Sequence, residues 1–210
     1  MTTTVYSAWQ LFISGGPMMW PILLCSIFAC AIVLEKMVYL RAIRMDIRNF
    51  LSELLGKIKH HQIKEALQLC DTARHPVSAI LKAGILKYDR SRVQIKEAIE
   101  DASLYEIPKL EQHLPALAVI AHICPLLGFL GTLAGLARYF QAFAARAQAT
   151  QAITVAAVSA GLWEALLTSI AGLLVAIPVF VAYNYLVGQV NGVILDMEKA
   201  STELVNFLSE

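Results

Sequence analysis

The sequence predicts an all-α membrane protein with three transmembrane helices and long cytoplasmic extensions. Three observations predict it. Hydrophobic residues make up 58% of the 210, and the mean hydropathy is +0.61, too apolar for a soluble domain that must present a charged surface to water. Charged side chains are absent from Met1 to Leu34. Of the 17 Lys and Arg, 14 crowd between Lys36 and Lys109, which leaves two further long stretches almost free of charge.

The first span is set at 17–40, after an N-terminal segment 1–16. Pro17 to Leu34 supplies 18 apolar or small residues, close to the roughly 20 that cross a ~30 Å hydrocarbon core. It lacks a basic leading region and is longer than a secretory signal's apolar core, so it is expected to remain in the mature protein. Trp9 and Trp20 suit interfacial anchors.

Residues 41–113 are polar and helical in pattern. Ile63, Ala66, Leu67 and Cys70, then Val77, Ile80, Leu81, Gly84 and Ile85, recur at helical spacing. Pro76 fits the first position of one helix, and Ser91 with Gln94 reads as a capping box opening another that runs toward the second span, with a bend expected near Pro108 or Pro115.

The second span is set at 114–137, with His122 its only readily charged group, and a short connection at 138–152 carries Arg138 and Arg146. The third span is set at 153–187 and a C-terminal helix at 188–210. This apolar stretch exceeds the bilayer, so it must tilt or project beyond it. Arg41, Arg44 and Arg48 directly follow the first span. The positive-inside rule therefore puts the basic segment and the C-terminus in the cytoplasm, with the N-terminus and the connection near Arg146 outside.

Composition excludes several function classes. The formal charge is +1 and the basic residues form no compact run, so nucleic acid is not an expected partner. Cys25, Cys30, Cys70 and Cys124 have no C-x-x-C or zinc spacing and read as reduced packing residues. His60, His61, His75, His113 and His122 lack metal spacing, and all but His122 lie among polar residues where solvated histidines are ordinary. No metal and no cofactor are expected. Enzymatic activity is not expected either, since no nucleophile, base and orienting group cluster in the spans and no phosphate-cradling loop precedes a helix.

Between Glu111 and Asp196 the only acid is Glu164. It lies roughly 16 Å along a helix counted from Ile153, which approaches the bilayer midplane. A carboxylate there costs several kcal/mol unless it is paired, wetted or neutralised, and such a group can pick up and release protons. The plainer alternative is a protonated Glu164 that bonds across helices. Gly161, Glu164, Thr168 and Gly172 share one small, polar helix face, which suits a pore or a tightly packed partner better than lipid.

Gly128, Gly131, Thr132 and Gly135 form a matching strip on the second span, and glycines at this spacing are more often packing than chemistry. The hydroxyls of Thr132, Thr168 and Ser169 are candidates for orienting water beside the carboxyl. Pro125 and Pro178 each free a carbonyl within a span, for a kink or a flexible point. Asn184 suits either an interhelix bond or a cytoplasmic exit group.

The run Ala121-His-Ile-Cys-Pro-Leu-Leu-Gly-Phe-Leu-Gly-Thr132, followed by Gly161-Leu-Trp-Glu164-Ala-Leu-Leu-Thr168-Ser-Ile-Ala-Gly172, Ala176-Ile-Pro178 and Tyr183-Asn184, closely resembles the ExbB/TolQ/MotA family of proton-channel subunits. The opening Gly15-Gly-Pro-Met-Met-Trp-Pro-Ile-Leu-Leu-Cys25 with Glu35-Lys36 resembles the ExbB branch, so the similarity covers nearly the whole chain.

The resemblance implies a homopentameric ring around a pair of single-span ExbD-like or TolR-like helices in the bacterial inner membrane. The transported ion is H+. The mobile proton then resides chiefly on an aspartate of the partner, with Glu164 and Thr132 in the polar lining around it. Motion passes to a TonB-like or TolA-like transducer, for TonB-dependent transport across the outer membrane or, alternatively, for Tol-type envelope maintenance. A passive scaffold is the rival outside the motor class. Two departures stand out. Ser169 replaces the threonine common in relatives, keeping the hydroxyl, and bulky Trp163 stands beside the glutamate.

Overall fold

The computed structural model describes residues 10, 12–43, 45–73, 75–148 and 155–208, the side chains of 146–161 excepted. The expectations for Trp9 and Arg44, and for the side chain of Arg146, lie outside the described residues. The helices with described bounds are, in order, α1 (Met19–Ala42), α2 (Ile47–Lys59), α3 (Ile63–Ala73), α4 (Pro76–Ile85), α5 (Arg92–Glu111), α6 (Leu114–Gln148) and α7 (Val155–Leu208). Among the described residues there is no strand. Helices α1, α6 and α7 carry stretches long and apolar enough to cross a membrane, so the all-α, three-span architecture holds.

Helix ends and the expected span limits are separate matters. Helix α6 continues past Ala137 to Gln148, because Arg138 and the alanines beyond it are good helix formers and nothing there breaks the backbone. Helix α7 runs without a break through the expected boundary at 187; the change from apolar to charged residues alters its surroundings and leaves its hydrogen bonding intact. The entry to the second span is not a bend at Pro108, which sits inside α5. Instead α5 stops, Gln112 is extended, and His113 takes a left-handed φ of 68°. Pro115 then falls in the first turn of α6, where its missing N–H is not needed.

The described residues divide into two compact units. One is drawn from Met1–Leu34 and Pro115–Asn184, the other from Glu35–Leu114 and Tyr185–Glu210.

In the second unit, α2 to α5 pack each on the next. Asp46 opens α2 by accepting bonds from the backbone N–H groups of Arg48 and Asn49, and Ser91 opens α5 by accepting from that of Gln94. The core comprises Leu54, Ala66, Val77, Ile80, Leu81, Ile85, Ile95, Ile99, Met197 and Leu204. Gly84 lets α4 sit close, since a Cβ there would meet Ile99 Cδ1 at 2.8 Å and Leu204 Cδ2 at 3.1 Å. Burial pushes the Cys70 thiol up to about 11, consistent with a packing cysteine.

Lys36, 3% exposed, donates to the carbonyls of Leu110 (3.1 Å) and Lys109 (3.4 Å). These are among the last carbonyls of α5, which have no partner within their own helix. The neighbouring Glu35 faces His113 Nδ1 at 3.1 Å. The pair Glu35-Lys36 thus holds the α5–α6 break. Lys36→Met keeps the apolar stem and removes the donor, and is expected to lose about 1–3 kcal/mol, read by denaturation in mild detergent.

His75 departs from the solvated reading of the sequence. It is 4% exposed and caps α4: its Nδ1 accepts from the Val77 N–H at 3.0 Å, and its own N–H donates to Ser78 Oγ. Burial lowers its affinity for a proton, opposed in part by Asp196. With the folded value below the unfolded value of about 6.5, the unfolded chain binds the proton more readily. The stability from this cap is therefore complete above about pH 6.5 and is lost as pH falls through that value toward the folded one. Amide exchange at Val77 and Ser78 should accelerate over that window in the wild type. In His75→Asn, a cap that does not titrate, the acceleration should be absent.

Candidate functional site

The first unit is built on the contact of α6 with α7. A Cβ on Gly128 would lie 3.0 Å from the Thr168 carbonyl oxygen, on Gly131 2.6 Å from Thr168 Oγ1, and on Gly135 2.9 Å from Ala165 Cβ. On the facing helix, a Cβ on Gly172 would lie 2.7 Å from the Cys124 carbonyl oxygen and 3.0 Å from Gly128 Cα. The small residues predicted from spacing therefore line a close helix contact, backbone against backbone at Gly128 and Gly172, the geometry in which dispersion and interhelix bonds hold membrane helices together. Ala121, Cys124, Ala165, Thr168 and Ala176 are buried, whereas Leu126, Phe129, Leu130, Leu166, Ile170 and Leu174 face outward, as a lipid solvent permits.

The candidate hydroxyls are engaged with backbone. Thr168, 2% exposed, donates to Ala165 O at 2.9 Å. Ser169 Oγ donates across the seam to Gly128 O at 3.3 Å, and Thr132 donates to Phe129 O in its own helix. Among the described residues none of the three bonds the Glu164 carboxylate directly. Small spacing brings Thr168 and Ser169 to α6, but a hydroxyl buried on a helix reaches its own i−3 or i−4 carbonyl most readily. Asn184 does the same, donating to Phe180 O at 2.8 Å from an exposed position, and makes no interhelix bond among the described residues. Pro125 and Pro178 lie inside continuous helices. Gly161 is on α7, its surroundings outside the described side chains.

Glu164 is paired instead with Arg138, whose Nη2 lies 2.7 Å from Oε1. Oε1 is buried and accepts no hydrogen bond. The contact is one of charge, with no guanidinium N–H aimed along it. The third neighbour is Gly16, where a Cβ would lie 2.0 Å from Oε1.

Gly16 precedes α1, and Arg138 follows the apolar run of α6. Both place Glu164 beside the segment that leads into α1 and the end of that apolar run. Arg138 and Gly16 were missed by sequence reasoning. Their available signals were the first cation after the second span and a glycine doublet, Gly15-Gly16, ahead of Pro17. Trp163 is half-exposed.

Three apolar helices, a glycine-sealed pair among them and one acid set against an arginine, define a multi-pass membrane protein with an ionisable group in its spanning unit. The sequence pattern of the MotA/TolQ/ExbB proton channel family matches residues 72–199, and the chain belongs to that family. It is 30% identical over 186 residues to a protein of Methanothermobacter thermautotrophicus described as a biopolymer transport protein ExbB homolog. The alignment covers 87% of this chain and 63% of the relative, so the chain spans less than two thirds of that relative's length.

Gly172→Ala puts a methyl group against backbone that has no rotamer to yield. It is expected to lose about 1–3 kcal/mol, seen as reduced thermal stability in detergent. Ser169→Ala, which removes one bond and no volume the seam needs, should lose about 1 kcal/mol.

Proposed function

We propose that this chain is an ExbB-like motor subunit of the inner membrane. It forms a homopentameric ring around single-span ExbD-like helices and uses the proton-motive force to energise a TonB-like transducer, and through it transport across the outer membrane. The observation that carries the reading is Glu164, the only acid between Glu111 and Asp196, with its carboxylate seated beside Arg138 of α6 and Gly16 in the segment ahead of α1. Family membership and the ExbB description of the relative support it.

In this reading the H+ passes along the outside of the α6–α7 pair, where Glu164 and the half-buried Thr132 border a partner helix. The partner's aspartate completes the path, so this chain in isolation should conduct protons poorly or not at all. No cofactor takes part. The N-terminus faces the periplasm and the C-terminus the cytoplasm, as the distribution of Lys and Arg supports.

Glu164→Gln, co-expressed with an ExbD-like partner, is expected to assemble normally and to lose energy-dependent uptake by at least about tenfold. Co-purification checks the first outcome and a labelled-substrate uptake assay the second. Uptake at the wild-type level would remove Glu164 from the mechanism.

A further inference from the structure

Three features meet at Glu164. Gly16 adopts a left-handed φ of 72°, and its backbone is pressed so closely on Oε1 that a Cβ would lie 2.0 Å from that atom. Arg138 brings a positive charge to 2.7 Å while its side chain stays 50% exposed. Oε1 itself is buried and receives no directed hydrogen bond.

A desolvated carboxylate oxygen is stabilised by charge and by directed donors; here only the charge is supplied. Among the described residues Arg138 is the only cation paired with it. The contact therefore rests on charge, one acceptor site of the carboxylate is left unspent, and the cation that holds it keeps half of its side chain exposed.

We propose that Arg138 and Gly16 form a latch that holds the Glu164 carboxyl in place, and that proton entry at Oε1 is coupled to release of Arg138 from that contact. The proposal rests on the reading of Glu164 as a proton-path group and adds the device that controls it. The balance is simple. One proton from the aqueous phase binds Oε1, the ion contact parts, and no covalent bond to carbon breaks. Arg138 and Gly16 are positioning residues, since each acts through Glu164. The contact is not a two-pronged, aligned guanidinium bond, so a lysine ammonium can replace it as a point charge.

The test is labelling of the full chain in membranes with dicyclohexylcarbodiimide, which enters apolar sites and reacts with protonated carboxyl groups, followed by mass spectrometry of the peptide containing Glu164. Wild type is expected to label slowly. Arg138→Gln and Gly16→Ala should each label about tenfold faster, and Arg138→Lys should return close to the wild-type rate. Helical content by circular dichroism identifies any variant that fails to fold, and Gly16→Ala keeps the test open if Arg138→Gln does.

Equal rates in wild type and the two unlatched variants would overturn the latch, as would Arg138→Lys labelling as fast as Arg138→Gln. The two proposals can fail separately. Normal uptake by Glu164→Gln would defeat the proton-path reading without altering the labelling comparison, and uniform labelling would defeat the latch without altering uptake.

Discussion

Helices α6 and α7 approach so closely at Gly128 and Gly172 that a methyl group on either would fall within about 3 Å of the other helix's backbone, and the spanning unit depends on that approach. It brings Ser169 within reach of a carbonyl on the other helix, buries Thr168, and fixes the rotation of α7 about its axis. That rotation sets which way Glu164 points. In lipid there is little hydrophobic drive to press one apolar helix on another, so contact of this kind has to come from the shape of the backbone itself.

The polar groups of the spanning unit divide by what they bond. Thr132, Thr168, Ser169 and Asn184 all donate to backbone carbonyls, which keeps helices intact where water is scarce. Among the described acids of this unit, Glu164 is held by charge. A side chain whose partner is a flexible cation can exchange that partner, whereas a hydroxyl or amide bonded to a helix carbonyl is tied to a fixed backbone. The difference separates one group suited to movement from four that maintain the scaffold.

Much of the architecture was legible in the sequence because local signals dominate it. The absence of charge up to Leu34, Pro76 at a helix start and Ser91 at another act within a turn or a span, and the small residues at 128, 131, 135 and 172 declare a helix face by spacing alone. Less was legible at 137 and 187, where the composition changes but the hydrogen-bond ladder does not. The partners of Glu164 were not legible at all. Arg138 and Gly16 reach it from separate helices or turns, and no periodicity links three segments. His75 was misread for a similar reason, since its burial comes from the helices packed around it and not from its polar neighbours in sequence.

The tight seam has a consequence for the membrane itself. Between Gly128 and Gly172 there is no room for even a methyl group, and hence none for a file of water. If ions move as proposed, they do so only where another subunit supplies the opposite bank. A copy that has not yet found its partners would leave the electrochemical gradient undisturbed, so that assembly acts as the safeguard against leakage.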